Sequence, residues 1–272
     1  MLSNKQVRHH ITKLPTVRRP LTWLQHRGLR KEDIFIASYP RSGSTWLRFM
    51  LFEILTGQDP TFTTVDRTIA GVGKHQQASP LLPGNGRLLQ THEPYRDEYK
   101  RAIYLVRDVR DVIASEYDFC RRLRFYNDEF DSFFERFLAG KVNRYGFWAD
   151  HVNSWLDAYL AGSEHVLVVK FEEMKQSPEE VLKRILTFLD VTRDESVVRN
   201  AVVNNSVPRM QEKEDKSVKF KSNADGIRFI SKGAVGKGQQ RLSDQQMQRL
   251  EQCVQAPLIR LDYSQSDQIG KT

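Results

Sequence analysis

The sequence predicts a single α/β domain with a central, mainly parallel sheet flanked by helices. Short apolar or β-branched runs alternate with longer segments whose apolar residues recur at three- and four-residue spacing. Such alternation is typical of parallel strands joined by crossover helices. The chain has 272 residues, of which 39% are hydrophobic, and it shows no internal repeat. It is therefore long enough for one substantial core, and its composition argues against a disordered or fibrous protein.

The first predicted strand and helix flank a short polar loop. The apolar run at 34–38 predicts the strand. The helix after the loop carries apolar residues at helical spacing, namely Leu47, Met50, Leu51, Ile54 and Leu55. Residues 57–86 are rich in Gly, Pro, Thr and Gln without periodicity, so we predict a long loop of the kind that is usually functional or mobile. Two further strands are predicted at 87–91 and 102–106.

The middle of the chain is predicted to be mainly helical. Asp108 is a suitable N-cap for a helix that begins at the next residue. Eight aromatic side chains follow within residues 117–137. Residues 147–160 have the pattern of an amphipathic helix, with Trp148 and Trp155 seven residues apart on one face. We interpret both tryptophans as core residues.

The last part of the chain supplies a fourth strand and three more helices. The β-branched run at 166–170 predicts the strand. Ser177 and Glu180 have the spacing of a capping box, with Pro178 at the first position of a helix over 178–189. The remaining elements are a helix at 194–204, a polar flexible loop at 212–226 and a final helix at 244–261 capped by Ser243.

Positive charge is concentrated at the N-terminus. The net charge is +8, and residues 1–31 contain eight Lys or Arg and no acidic residue. We therefore divide the chain into a basic arm, 1–31, and a domain, 32–272. We interpret the arm as a solvated leader and expect no specific nucleic-acid partner. Contact with nucleic acid or a membrane surface, and an organelle transit peptide, stay open as alternatives.

Several classes of protein are disfavoured by what the sequence lacks. No run approaches the roughly 18 apolar residues of a membrane span, and no apolar core of a signal peptide is visible near Met1. The only cysteines, Cys120 and Cys253, lie in no CxxC or Cys/His cluster. This argues against a disulfide framework or a zinc site and favours a cytoplasmic protein.

The loop at 39–46, Tyr-Pro-Arg-Ser-Gly-Ser-Thr-Trp, predicts an anion site. Its position between a strand and a helix N-terminus lets backbone N–H groups, hydroxyls and the helix dipole converge on a phosphate or a sulfate. It is P-loop-like but does not match the GxxxxGK[ST] pattern. Arg41 can bind the anion bidentately, Ser44 and Thr45 can cap the helix, and Trp46 offers a ring for a base. A plain structural turn is the alternative.

Residues 39–46 resemble the 5′-phosphosulfate loop of sulfotransferases, which use 3′-phosphoadenosine 5′-phosphosulfate (PAPS). The resemblance assigns Arg41, Ser42, Gly43, Ser44, Thr45 and Trp46 to the donor. Residues 91–94, Thr-His-Glu-Pro, resemble the family's catalytic segment and make His92 the expected base. An imidazole with a pKa near ~6.5 can accept a proton from a hydroxyl at neutral pH.

Residues 104–115 resemble the family's 3′-phosphate site. The resemblance assigns Arg107, at the end of a strand, and Ser115, eight residues later, to this phosphate. On a helix, eight residues return to roughly the same side, so both side chains could reach one group. Arg110 lies nearby, and a salt bridge to an acidic residue one turn away is its simpler explanation.

Segments 146–155, 170–174, 205–210 and 229–236 complete the resemblance. It further assigns Phe171, Ser206, Lys232 and Gly233 to nucleotide binding. Five residues depart from the family pattern. Arg41 stands where cytosolic members have a lysine, Phe171 replaces a tyrosine, Val207 replaces a phenylalanine that flanks the adenine, and Ser231 replaces an arginine. Gly238 stands where tryptophan is usual. Most of these departures affect the periphery of the nucleotide site.

The resemblance implies in-line transfer of a sulfuryl group from PAPS to an acceptor hydroxyl, with release of PAP. His92 would deprotonate the acceptor, and Arg41 with the backbone N–H groups of 42–45 would stabilise charge on the bridging oxygen. No metal is expected, because Arg and Lys supply the positive charge.

The acceptor is expected to be a small-molecule alcohol or phenol, with residues 57–86 and 117–147 as walls of its pocket. The alternative that the aromatic residues of 117–137 belong to the core stays open. Carbohydrate or protein acceptors are alternatives, and a kinase-like enzyme or a PAP-sensing module is a more distant one. The oligomeric state is left open, because the family's dimer segment has no counterpart near 237–248.

Overall fold

A computed structural model describes residues 15–126, 128–161, 165–220, 227–231 and 233–263. Five strands form one sheet in the order β2-β3-β1-β4-β5. Their bounds are β1 Ile34–Ser38, β2 Pro80–Leu82, β3 Gly86–Thr91, β4 Arg101–Val106 and β5 Val166–Lys170. β1 pairs in parallel with β3 and β4, β4 pairs in parallel with β5, and only β2 is antiparallel, against β3. The predicted fold class is confirmed.

Eleven α-helices lie in the described residues. They are α1 Pro15–His26, α2 Ser44–Thr56, α3 Phe62–Thr68, α4 Val109–Arg122, α5 Phe130–Leu138, α6 Trp148–Leu160, α7 Phe171–Gln176, α8 Pro178–Phe188, α9 Glu195–Asn204, α10 Val207–Asp215 and α11 Asp244–Arg260. None of these helices is long and apolar enough to cross a membrane.

The helices bury the sheet on both faces. All five residues of β1 are buried, as expected for a central parallel strand. One core cluster contains Trp148 and Trp155, both with 0% exposure, together with aromatic residues of α5. The other contains the apolar face of α2 and residues of α8. The interpretation of the two tryptophans as core residues is confirmed.

Two predicted loops contain regular structure. Within 57–86 the chain forms α3 and β2. α3 is only seven residues long and begins with a box of two threonines, Thr61 and Thr64, so it lacks the apolar periodicity that would reveal it. The predicted loop at 212–226 begins inside α10, whose buried residues are only Met210 and Glu214. Residues 221–226 lie outside the described residues.

The predicted helix caps have different outcomes. Asp108 caps α4, because its side chain accepts a hydrogen bond from the Arg110 N–H. Ser243 forms a full capping box at α11. The box predicted at Ser177 is wrong, since its side chain makes no capping bond. Ser177 also ends α7, where its N–H donates to the Glu173 carbonyl, and its φ of −136° and ψ of 64° serve both helices.

Candidate active site

The loop between β1 and α2 lies at the carboxyl edge of the sheet and lines a cavity of about 560 Å³. Arg41 has a φ of 70° and Gly43 a φ of 96°, so the chain turns sharply before the helix begins at Ser44. The first N–H groups of a helix have no partner within it. Those of residues 43–45 are therefore available to an anion, as the strand–loop–helix pattern predicts.

Two details of this loop differ from the prediction. Gly43 is the N-cap of α2 and no side chain caps the helix, so the capping role predicted for Ser44 and Thr45 is wrong. The Ser42 N–H donates to the Tyr39 carbonyl at 3.3 Å and closes the turn. The Ser42 hydroxyl is buried and has no hydrogen-bond partner among the described residues.

Two features require glycine at position 43: its left-handed backbone conformation and the close packing of Phe171. A Cβ at this position would lie 2.5 Å from Cδ2 of Phe171, closer than any real contact. The Phe171 ring thus packs directly on the loop. The ring also contacts Arg107, whose guanidinium carbon lies 4.4 Å from the ring centre. The ring connects the two regions that the sequence assigns to the donor.

Two arginines converge on the cavity from different elements. Arg41 Nε donates to the Ser115 hydroxyl at 3.1 Å, and its NH2 group donates to the Phe229 carbonyl at 3.1 Å. Arg107 donates to the Arg41 carbonyl at 3.3 Å and to the Ala234 carbonyl at 3.0 Å. Burial lowers the pKa of Arg41, and the neighbouring Glu116 carboxylate opposes this shift. The fold therefore brings Arg41, Arg107 and Ser115 into one cation-rich wall.

Arg110 does not join this wall. Its guanidinium pairs with Asp108 and lies 3.6 Å from Glu251. Arg110 therefore forms salt bridges, but not to an acidic residue one turn away as expected: Asp108 is two residues away, and Glu251 lies on α11.

Aromatic and aliphatic side chains also line the cavity. Trp46 donates its Nε1 hydrogen to the Asn205 carbonyl at 2.8 Å, and its ring centre lies 6.2 Å from that of Phe171. Val207, at the start of α10, also lines the cavity. A flat base could lie between these side chains.

His92 lies at the end of β3 and lines the same cavity. Its Nδ1 lies 2.7 Å from the Ser38 carbonyl oxygen. Because a carbonyl only accepts, Nδ1 carries the hydrogen, and Nε2 carries the lone pair. Burial lowers the pKa of His92 to about 4, an effect that the Ser38 carbonyl opposes. The ring is therefore neutral at pH 7 and able to accept a proton.

A chain of hydrogen bonds connects α1 to the strand end beside His92. The Tyr99 hydroxyl lies 2.6 Å from His26 Nε2 and 3.2 Å from the Thr91 hydroxyl. His26 Nδ1 donates to the Thr22 carbonyl at 2.6 Å, so its Nε2 accepts from Tyr99. Leu21 of the same helix lines the cavity. Part of the basic arm therefore belongs to the wall of the site.

Most of the predicted site residues line one cavity. They are Arg41, Gly43, Ser44, Thr45, Trp46, His92, Arg107, Ser115, Phe171 and Gly233. Ser42, a residue of the loop itself, is buried and is not among the lining residues. Ser206 precedes α10 and is not among the lining residues, whereas its neighbours Asn205 and Val207 are. Lys232 lies outside the described residues.

The acceptor side differs from the sequence prediction. No residue of 57–86 lines the cavity, and of the eight aromatics in 117–137 only Phe119 and Phe125 do. Tyr117, Phe133, Phe134 and Phe137 are core residues, as the alternative interpretation held. Asn143, Arg144 and Tyr145, which lie in the expected wall 117–147, do line the cavity. Leu21 and Glu116 line it as well and lie outside both expected walls.

Within the described part of the chain, no group of three or more His, Cys, Asp or Glu side chains could hold a metal ion. The expectation that the reaction needs no metal stays a prediction. Cys120 is buried and Cys253 is exposed, and neither forms a disulfide among the described residues.

Comparison with known proteins identifies relatives of the whole fold. The model of the family described as Sulfotransferase domain matches residues 31–262. Sulfotransferase 1A1 of Rattus norvegicus is 31% identical over 208 residues, which cover 70% of each chain. Sulfotransferase 1B1 of Mus musculus is 31% identical over 200 residues, or 66% of each chain.

Solved structures share the fold at lower identity. Mouse sulfotransferase SULT7A1 complexed with PAP has a TM-score of 0.69 at 23% identity, covering 88% of this chain and 90% of that one. Retinol dehydratase in a complex with retinol and PAP has a TM-score of 0.71 at 19% identity, covering 94% and 95%.

Proposed function

Because the chain belongs to the sulfotransferase family, and is therefore a sulfotransferase, we propose that its cavity binds PAPS beside a small-molecule acceptor hydroxyl. One observation carries the proposal. The N-terminus of α2, two arginine side chains and the His92 imidazole line the same cavity at the carboxyl edge of the sheet. Ligands of open α/β sheets bind at this edge.

The chemistry of the lining residues fits the donor. Arg107 Nε, and the Ser42 hydroxyl in the adjoining loop, are buried donors without a partner among the described residues. The NH2 groups of Arg41 and Arg107 donate to main-chain carbonyls. Such donors suit an anion that binds several of them at once. PAPS, when bound, supplies an activated sulfuryl group. PAP in the related solved structures supports this choice.

Each part of the nucleotide has candidate partners. We assign the 5′-phosphosulfate to Arg41 and the N–H groups of 43–45, and the 3′-phosphate to Arg107 and Ser115. Trp46 and Phe171 would flank the adenine, with Gly233 at the rim. Preorganised donors of this kind each stabilise a transition state by about 3 kcal/mol, measured as the rise in the activation barrier when one is removed.

His92 is the proposed general base. Its Nδ1 hydrogen is fixed on the Ser38 carbonyl, so Nε2 would take the proton of the acceptor hydroxyl. The pKa of His92 is low because burial disfavours the charged ring. Anionic groups bound nearby stabilise an imidazolium and raise its pKa, which would strengthen the base only when donor is present.

The acceptor is proposed to be an alcohol or phenol of small size. Leu21, Phe119, Phe125 and Tyr145 give this side of the cavity apolar surface. Related structures contain retinol or androsterone, which are small molecules that carry a hydroxyl group. A cytoplasmic location is proposed as well, and two cysteines without a disulfide among the described residues support it.

The test combines a binding and an activity measurement. Titration calorimetry should detect PAP binding to the full chain, and a mass-spectrometric screen with PAPS should identify acceptors. His92→Ala should lower the transfer rate at least about 10²-fold while PAP affinity stays within a few-fold. His165→Ala, at an exposed position, is the control.

Two results would contradict the proposal. A folded chain that does not bind PAP would refute the donor assignment. An active His92→Ala variant would refute the assignment of the base and leave the donor assignment standing.

A further inference from the structure

A buried ion pair lies behind the segment that closes the donor cavity. We define the closing segment as residues 227–231 and 233–238. The Glu214 carboxylate on α10 lies 3.2 Å from the Arg122 guanidinium on α4, and the two side chains are 2% and 3% exposed. The pair is absent from every motif that the sequence suggests.

Glu214 uses both of its oxygens on the closing segment. One accepts from the Phe229 N–H at 2.7 Å and the other from the Ile230 N–H at 2.8 Å. Arg122 in turn lies over two rings, 4.8 Å from the centre of Phe220 and 5.7 Å from that of Phe229. One carboxylate thus fixes two successive peptide groups.

The held peptides are part of the donor site. Phe229 and Ile230 both line the cavity. The Phe229 carbonyl accepts from Arg41 at 3.1 Å, and its ring centre lies 4.9 Å from the Arg41 guanidinium carbon. The position of Arg41 therefore depends on a peptide that Glu214 holds in place.

The other end of the closing segment is held in the same way. Asp111 accepts from the Gly236 and Gly238 N–H groups at 3.0 and 2.7 Å and lies 3.4 Å from Arg107. Gly238 packs so closely that a Cβ there would overlap the Arg110 carbonyl. Each of the two donor-site arginines thus meets a part of the segment that a carboxylate fixes.

Stability alone is a weak reason for such a pair. Burying two charges costs several kcal/mol, and an apolar replacement of the same size is often neutral or stabilising. Buried pairs are better explained where they select one conformation. Here the selected conformation is the one in which the closing segment lines the cavity.

We propose that Glu214, held by Arg122, is a positioning residue of the donor site: it fixes Phe229 and Ile230 before the nucleotide binds and so positions Arg41. This inference rests on the proposed binding of PAPS. It concerns residues of the protein itself and predicts an ordered closing segment in the free chain.

Glu214→Gln is the direct test, because it keeps the shape and removes the charge. One amide hydrogen would then face the Gln NH2 group, and Arg122 would lose its counter-charge. We expect PAP affinity and the KM for PAPS to worsen about tenfold or more, as for a lost bond to a charged group. The KM for the acceptor, measured at saturating PAPS, should change less than about twofold, since the donor side alone is disturbed.

Glu212→Gln is the matched control. Glu212 lies on the same helix but is exposed, where it pairs with Lys216 and Arg209. It should leave PAP affinity unchanged. A Glu214→Gln variant with a lower melting temperature but unchanged PAP affinity would show a structural role only and would overturn the proposal.

Hydrogen exchange on the unmodified chain keeps the proposal testable if the variant does not fold. Without nucleotide, the amides of Phe229 and Ile230 should already be protected. Unprotected amides at both positions would overturn the proposal. If the unmodified chain does not bind PAP, the proposed function fails instead, and the exchange result still decides whether Glu214 holds the segment.

Discussion

Substituting alanine for Gly43 tests how the donor loop is built. Two separate obstacles oppose a methyl group there. The backbone φ of 96° lies in the left-handed region, which disfavours L-residues, and the new Cβ would lie 2.5 Å from Cδ2 and 2.7 Å from Cε2 of Phe171. That ring is buried between the loop and Arg107, so it cannot move aside without disturbing the second arginine.

Each of the two obstacles has its own cost in the free energy of folding. A left-handed conformation costs roughly 1–2 kcal/mol for a residue with a Cβ, and overpacking a buried site costs about 1–3 kcal/mol. Gly43→Ala should therefore lower the free energy of unfolding by about 2–5 kcal/mol. PAP affinity should fall as well, because the N–H groups of the loop move with the ring.

Urea unfolding measures the stability change, and calorimetry measures PAP binding. Gly57→Ala is the control: its φ is 70°, yet its Cβ would have nothing within 4 Å. It should show only the backbone cost of roughly 1–2 kcal/mol. Phe171→Ala should remove most of the extra cost at Gly43 in a double-mutant cycle. If Gly43→Ala costs no more than Gly57→Ala, the close packing of the ring on the loop is wrong.

Three further predictions follow from the geometry. Arg107→Ala should weaken PAP by about tenfold or more but scarcely affect adenosine 5′-phosphosulfate, which lacks the 3′-phosphate; equal losses in calorimetry would remove the 3′-phosphate assignment. Because burial lowers the pKa of His92 to about 4 in the free chain, the ring stays neutral there as the pH falls from 8 to 5.5, so kcat/KM for PAPS, which reports on the free enzyme, should stay level over that range; a fall centred near the ordinary value of about 6.5 would argue against a lowered pKa of His92. Ser243→Ala should cost about 1 kcal/mol of stability, whereas Ser177→Ala, which removes no capping bond, should cost much less in the same urea assay.

Local sequence signals predicted the framework of the fold well. The parallel strands are short apolar runs that burial on both faces requires, and Asp108 and Ser243 act on backbone groups next to them. The sequence did not predict β2 and α3, because both are short and give only a weak local pattern. β2 has three residues at the sheet edge, beginning with Pro80, and α3 buries only Phe62 and Val65.

The sequence predicted the site residues that directly follow a strand. It did not predict contacts between residues that are far apart in the chain. Residues 39–46 and His92 follow strands directly, so topology alone brings them to one edge. Contacts such as that between Arg41 and Phe229, 188 residues apart, depend on tertiary packing that no local pattern encodes. Asn143 and Arg144 lie in the segment 117–147 that was expected to wall the pocket, but no regular element indicated which of its residues would line the cavity.

The contacts of α1 bear on how this enzyme should be produced in the laboratory. A version trimmed to the start of the family match would lack Leu21 and His26, and the Tyr99 hydroxyl near the end of β3 would lose its hydrogen bond to His26 Nε2. Crystallographers commonly remove charged leaders to obtain better samples. For this chain, shortening beyond residue 20 would remove Leu21 from the wall of the cavity.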